Sequence, residues 1–184
     1  MAASRVIRGG GLAASAGGAL WVVVFAVYAS RSPLPGPGPP HGSFDGLRVL
    51  GLLSLLLIAL GLLGLDLPSW RGRGYGRLGR VGFDLAGLGI LVIVVSGASW
   101  PIGMIAAWIM MVGSLMVGAA ALVSGTLPRW GALALVAGSA AFFLFDTAPA
   151  RAWFALPYGA AWVAVGYLLW SHGGLAAEQP SRVR

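Results

Sequence analysis

Residues Leu47 to Leu67 read LRVLGLLSLLLIALGLLGLDL, an apolar run with one base near its start, Arg48, and one acid near its end, Asp66. About 20 mostly apolar residues are enough to cross roughly 30 Å of hydrocarbon as a helix. A barrel strand would alternate in polarity, and Leu55-Leu56-Leu57-Ile58-Ala59-Leu60 does not. In lipid every backbone polar group needs an internal partner, so the run is expected to be helical.

Working outward, runs of the same kind occupy about 11–30, 81–99, 102–124, 130–148 and 152–171, giving six expected spans with 47–67. The chain has 184 residues, 58% hydrophobic and 9% charged, with mean hydropathy +0.87. Soluble domains carry roughly 25% charged residues. A chain of this size still exposes much of its surface when folded, so the solvent for that surface is expected to be lipid. The expected fold class is all-α: a single membrane domain, 1–184, forming a polytopic transmembrane bundle of six helices.

Charge sets the orientation. All 12 bases are Arg, and in a six-span arrangement one side holds Arg5, Arg8, Arg71, Arg73, Arg77, Arg80, Arg129, Arg182 and Arg184. The other holds Arg31, Arg48 and Arg151. The positive-inside rule then predicts both termini in the cytoplasm, N-in and C-in, with a cytoplasmic tail at 172–184. The net charge of +7 and pI near 11.3 do not point to nucleic acid, because the bases cluster beside apolar spans as headgroup anchors do. The first span also has a signal-peptide reading: a basic head, an apolar Val22-Val23-Val24-Phe25 core, and Val27-Tyr28-Ala29 as a cleavage site.

The connections carry their own signals. Residues 31–46 hold Pro33-Leu34-Pro35-Gly36-Pro37-Gly38-Pro39-Pro40, expected as an extended exterior connector. Between spans three and four, no charge interrupts Ser96-Gly97-Ala98-Ser99-Trp100-Pro101, and Pro101 with Trp100 marks a tight interfacial turn. Leu67-Pro68-Ser69-Trp70-Arg71 and Leu127-Pro128-Arg129-Trp130 repeat one phrase at two turns. There Pro stops or starts a helix, Trp sits at headgroup depth and Arg meets phosphate.

Composition excludes several chemistries. With no Cys there is no disulfide, thiolate zinc site or thiolate-held cluster, and with no Lys there is no retinal Schiff base. His41 and His172 fall on opposite sides of the expected membrane, so neither joins a metal-ligand set. Gly97-Ala98-Ser99 departs from the helix start of intramembrane serine proteases, since Trp100 stands where the motif has Gly and His172 lies at the far face. No catalytic residue, metal or cofactor is expected, and the chain does not read as an enzyme.

Two groupings remain as candidate sites. Asp84 stands four residues after Arg80, close enough to pair on one helix face, and Asp66 closes the preceding span on the same side. Asp66, Arg80 and Asp84 are therefore a candidate polar cluster at one mouth of the bundle. Trp108 and Trp162, both inside spans, are a candidate aromatic pocket for a lipid or quinone. Ser54, Ser96, Ser114 and Ser139 are the neutral polar residues available to line a path, though serine packs equally well between helices. Gly82 with Ala86, and Gly103 with Ala107, are small pairs that would let helices approach closely.

Leu127-Pro128-Arg129-Trp130 before span five and Trp162-Val163-Ala164-Val165-Gly166-Tyr167-Leu168-Leu169-Trp170 at the end resemble small six-span membrane proteins of high-GC bacteria. That resemblance implies the bacterial inner membrane and carries no site residue. The expected function is a non-catalytic accessory or scaffolding subunit, partnered by the lipid bilayer and by other membrane subunits or further copies of itself. A small transporter or channel is the second expectation. A membrane-embedded enzyme or lipid- or quinone-binding protein is the third.

Overall fold

The computed structural model describes residues 2–30, 45–65, 76–97, 101–144 and 153–172. These form six helices: α1 (Ala2–Ser30), α2 (Asp45–Leu65), α3 (Gly76–Val95), α4 (Ile102–Ser124), α5 (Arg129–Phe142) and α6 (Leu156–His172). Five stretches are long and apolar enough to cross a membrane: Arg5–Ser30, Gly46–Leu65, Gly76–Val95, Ile102–Ser124 and Trp153–Ser171. The described residues are all-helical, without strands.

The element bounds differ most from the expected ones at three places. Helix α1 begins at Ala2, so Arg5 and Arg8 are part of it. Helix α3 begins at Gly76 instead of 81, because Arg77-Leu78-Gly79-Arg80 continues the helix before the apolar run starts. The expected span at 130–148 is the helix Arg129–Phe142, whose 14 residues rise about 21 Å, short of the hydrocarbon thickness. The proline-rich connector and the Leu67-to-Arg71 turn lie outside the described residues.

Two turns are set by local chemistry. After α3, the Ser96 N–H donates to Val92 O at 2.9 Å and the Gly97 N–H to Val94 O at 3.1 Å. Gly97 takes φ +60°, the left-handed geometry that ends helices cheaply only without a Cβ. Pro128, with φ −52° and ψ 140°, precedes the first residue of α5, where its fixed φ costs nothing.

Neighbouring helices run antiparallel, and glycine rows set how near they come. On α1, Gly10 and Gly17 face α2 while Gly11 and Gly18 face α6. A methyl group added at Gly10 would lie 2.9 Å from the Gly64 Cα, and one at Gly18 would lie 2.5 Å from the Gly159 carbonyl oxygen. Both rows repeat every seven residues, the period of left-handed helix pairs. The hydroxyls of Ser54 and Ser15 add interhelical hydrogen bonds, to Gly17 O at 2.8 Å and to Val163 O at 3.3 Å.

Helices α3 and α4 repeat the device. Gly82, Ala86 and Gly89 meet α4 at Gly113, Ala106 and Met110, with a methyl at Gly89 falling 2.6 Å from Ala106 O. The expected Gly82–Ala86 pair is thus on a helix seam. On α4 the seam uses Ala106 and Gly113, whereas Gly103 and Ala107 are only partly buried. Helix α5 lies between α4 and α6, with Gly118 against Val136 on one side and Gly138 against Pro157 and Ala161 on the other.

Buried residues from all six helices form one continuous cluster, from Ile7 and Trp21 on α1 to Trp162 and Leu169 on α6. Small residues at the seams let this core be built of backbone contact as much as of side chains, which is how helices associate where lipid removes the hydrophobic drive.

Candidate functional site

Apolar helices leave few places for polar chemistry, and the fold sorts those places into inward and outward ones. Inward, the end of the bundle where α1 and α5 finish and α6 begins holds an aromatic cluster. Trp21 stacks at 4.5 Å from Phe25 and meets Tyr158 edge-on at 5.6 Å and Phe142 at 6.0 Å. Its indole N–H donates to Ala155 O at 2.9 Å, tying α1 to the turn that starts α6.

Below Trp21, Tyr158 and Ser114 share a hydrogen bond at 3.1 Å, joining α6 to α4 inside a wholly buried setting. Trp162 follows one turn along α6, with its ring 6.3 Å from that of Tyr158. Its Nε1, like the Ser139 Oγ on α5, is buried without a hydrogen-bond partner among the described residues. Each such atom normally carries a cost of about 1–3 kcal/mol.

The expected aromatic pair does not come together. Trp162 is in the core, while Trp108 is half-exposed on α4 and meets Phe143 edge-on at 5.5 Å. They lie in separate surroundings because Trp108 is on an outward face of α4 and Trp162 on the inward face of α6, which an unassembled sequence does not reveal. The four serines are likewise dispersed. Ser54 serves the α1–α2 seam, Ser96 donates to Ile93 O of its own helix end at 3.2 Å, Ser114 serves α4–α6, and Ser139 stands alone.

Outward, Arg80 and Asp84 are both exposed on α3. The earlier start of α3 makes Asp84 its ninth residue, about 12 Å along the helix. They occupy the face opposite the buried stripe of Gly82, Ala86, Gly89, Ile90 and Ile93. Among the described residues neither makes an ion pair. Asp66, the third member of the expected cluster, lies outside the described residues.

A contact not foreseen from sequence lies at the opposite end of α3. The Arg48 side chain, in the first turn of α2, donates through Nε to the carbonyl of Gly97. A cation at a helix C-terminus meets both the unsatisfied carbonyls and the negative end of the helix dipole. The signal was present in the sequence, as a lone Arg in an apolar span, but its partner is 49 residues away.

No group of three or more His, Asp or Glu able to hold a metal exists among the described residues. No protein-family model matches the chain, and neither a curated protein nor a solved structure shows detectable similarity to it.

Proposed function

We propose that this chain is a non-catalytic multi-pass protein of the bacterial inner membrane, an accessory or scaffolding subunit that packs against partner membrane proteins or itself. The observation that carries the reading is the outward face of α3. Arg80 and Asp84 point away from their own bundle on a helix otherwise apolar enough to span. Ionisable groups in membrane segments are costly and ordinarily face protein or water, so an outward pair marks a face made for company. In this reading α5, with the residues after it, makes a sixth crossing, and both termini are cytoplasmic with nine of the 12 Arg.

The test is mild extraction from the native membrane followed by native mass spectrometry. A stoichiometric protein partner or a homo-oligomer is the expected result, and recovery as a lone monomer would overturn the reading. Orientation is checked on the Cys-free background with single cysteines. Ser43→Cys should label from outside and Ser69→Cys should not.

A second reading, a small transporter or channel, is favoured by two buried polar atoms without hydrogen-bond partners among the described residues, Ser139 Oγ and Trp162 Nε1. It would place Asp66, Arg80 and Asp84 at one mouth. Asp84→Asn separates the two: loss of flux in liposomes with assembly intact supports transport, and loss of assembly supports the subunit.

A further inference from the structure

We infer that the outward face of α3 is the contact between two copies of this chain, related by a two-fold axis along the membrane normal and joined by reciprocal Arg80–Asp84 pairs. The inference deepens the subunit reading and rests on it.

Arg80, Asp84, Gly87, Leu88 and Leu91 are all exposed, at the spacing of one helical stripe. Around Gly87 there is open space: a methyl added there would meet nothing within 4 Å. The face thus carries two bases, Arg80 and the exposed Arg77 one turn before it, one acid and, a turn further along, a backbone bare enough for close approach by another helix.

The identity of the occupant follows from the charges. A lipid phosphate can neutralise Arg80, but the cations that lipid offers a carboxylate, such as a headgroup ammonium, are confined to the headgroup layer. A second copy supplies both partners at once. A two-fold axis along the normal sets α3 parallel to its copy, with the same patch on both sides of the contact. Four residues advance about 6 Å along a helix, a gap that an arginine side chain spans. Each Asp84 then meets the Arg80 of the other copy, and Arg77, one turn nearer the start of α3, is left to headgroup phosphate.

The experiment uses the full chain in its membrane. With no native Cys, Gly87→Cys is expected to give a disulfide-linked dimer on mild oxidation, and Leu133→Cys, exposed on α5, is not. This needs no change to either charge. On that background, Arg80→Asp sets acid against acid at the two pairing positions and Asp84→Arg sets base against base, and each alone should lower the dimer fraction at least tenfold. Co-expressed with different tags, the two variants should recover it as a mixed dimer. Failure of Gly87→Cys to cross-link, or failure of the mixed pair to recover, overturns the inference. If native mass spectrometry then finds a different protein bound in stoichiometric amount, only the two-fold contact has failed. A lone monomer overturns the subunit reading as well.

Discussion

Single positions in this bundle differ sharply in what they tolerate, and neighbours in sequence can differ most. Gly9 has nothing within 4 Å of an added methyl, whereas Gly10 would press one against the backbone of α2. Gly9→Ala should therefore stabilise by about 0.5–1 kcal/mol through reduced chain freedom. Gly10→Ala should destabilise by about 1–3 kcal/mol, because backbone cannot rotate away as a side chain can. Thermal unfolding of both in one detergent gives the comparison, and equal effects would contradict the close α1–α2 approach. The same logic separates the hydroxyls. Tyr158→Phe removes a made hydrogen bond to Ser114 and should cost about 1 kcal/mol. Ser139→Ala removes an unpartnered oxygen and should raise stability by a similar amount, about 1 kcal/mol. A drop on Ser139→Ala would mean that something polar occupies the space beside it.

Between elements, the seams are unequal. Helices α1, α2 and α6 are locked by glycine rows and serine hydrogen bonds, and α3 is locked to α4 by glycines alone. Helices α2 and α3 share fewer contacts, and Arg48 spans their junction by donating to Gly97 O. Arg48→Gln should loosen that seam while leaving the others intact. Hydrogen exchange at the end of α3 is expected to rise selectively, and uniform exchange along all helices would rule out a local tie. Helix existence was legible throughout, since long apolar runs leave backbone no other partner. Helix ends were not: Arg77 and Arg80 extend α3, and charge alone does not say whether a base stands on a helix or before it.

Across the whole molecule, α1 packs centrally, between α2 and α6. Ala14 is fully buried, Trp21 nearly so, and stripping α1 away would expose the glycine faces of both α2 and α6. The expected outcome is retention: intact-mass analysis of C-terminally tagged protein from membranes should include residues 2–30. A product starting just after Ala29 would show that cleavage precedes assembly. Of the candidate sites, the Arg80–Asp84 spacing was legible because i and i+4 share a helix face in any helix. The separation of Trp108 from Trp162 was not, because both are apolar residues in spans and only helix rotation about its own axis sorts them.

By itself the sequence determined that this chain is helical and suited to lipid, because composition and run length decide which solvent a backbone can be paired in. It also placed the bases at the ends of the runs. The tertiary structure decided which face of each helix is inside. Helices hydrophobic all round give a pattern no preferred side, so the choice falls to where glycine rows, seven residues apart on α1 and on α6, let backbones meet. That choice buried Trp162 and Ser139, put Trp21 at the centre of the aromatic cluster, and left Asp84 facing out.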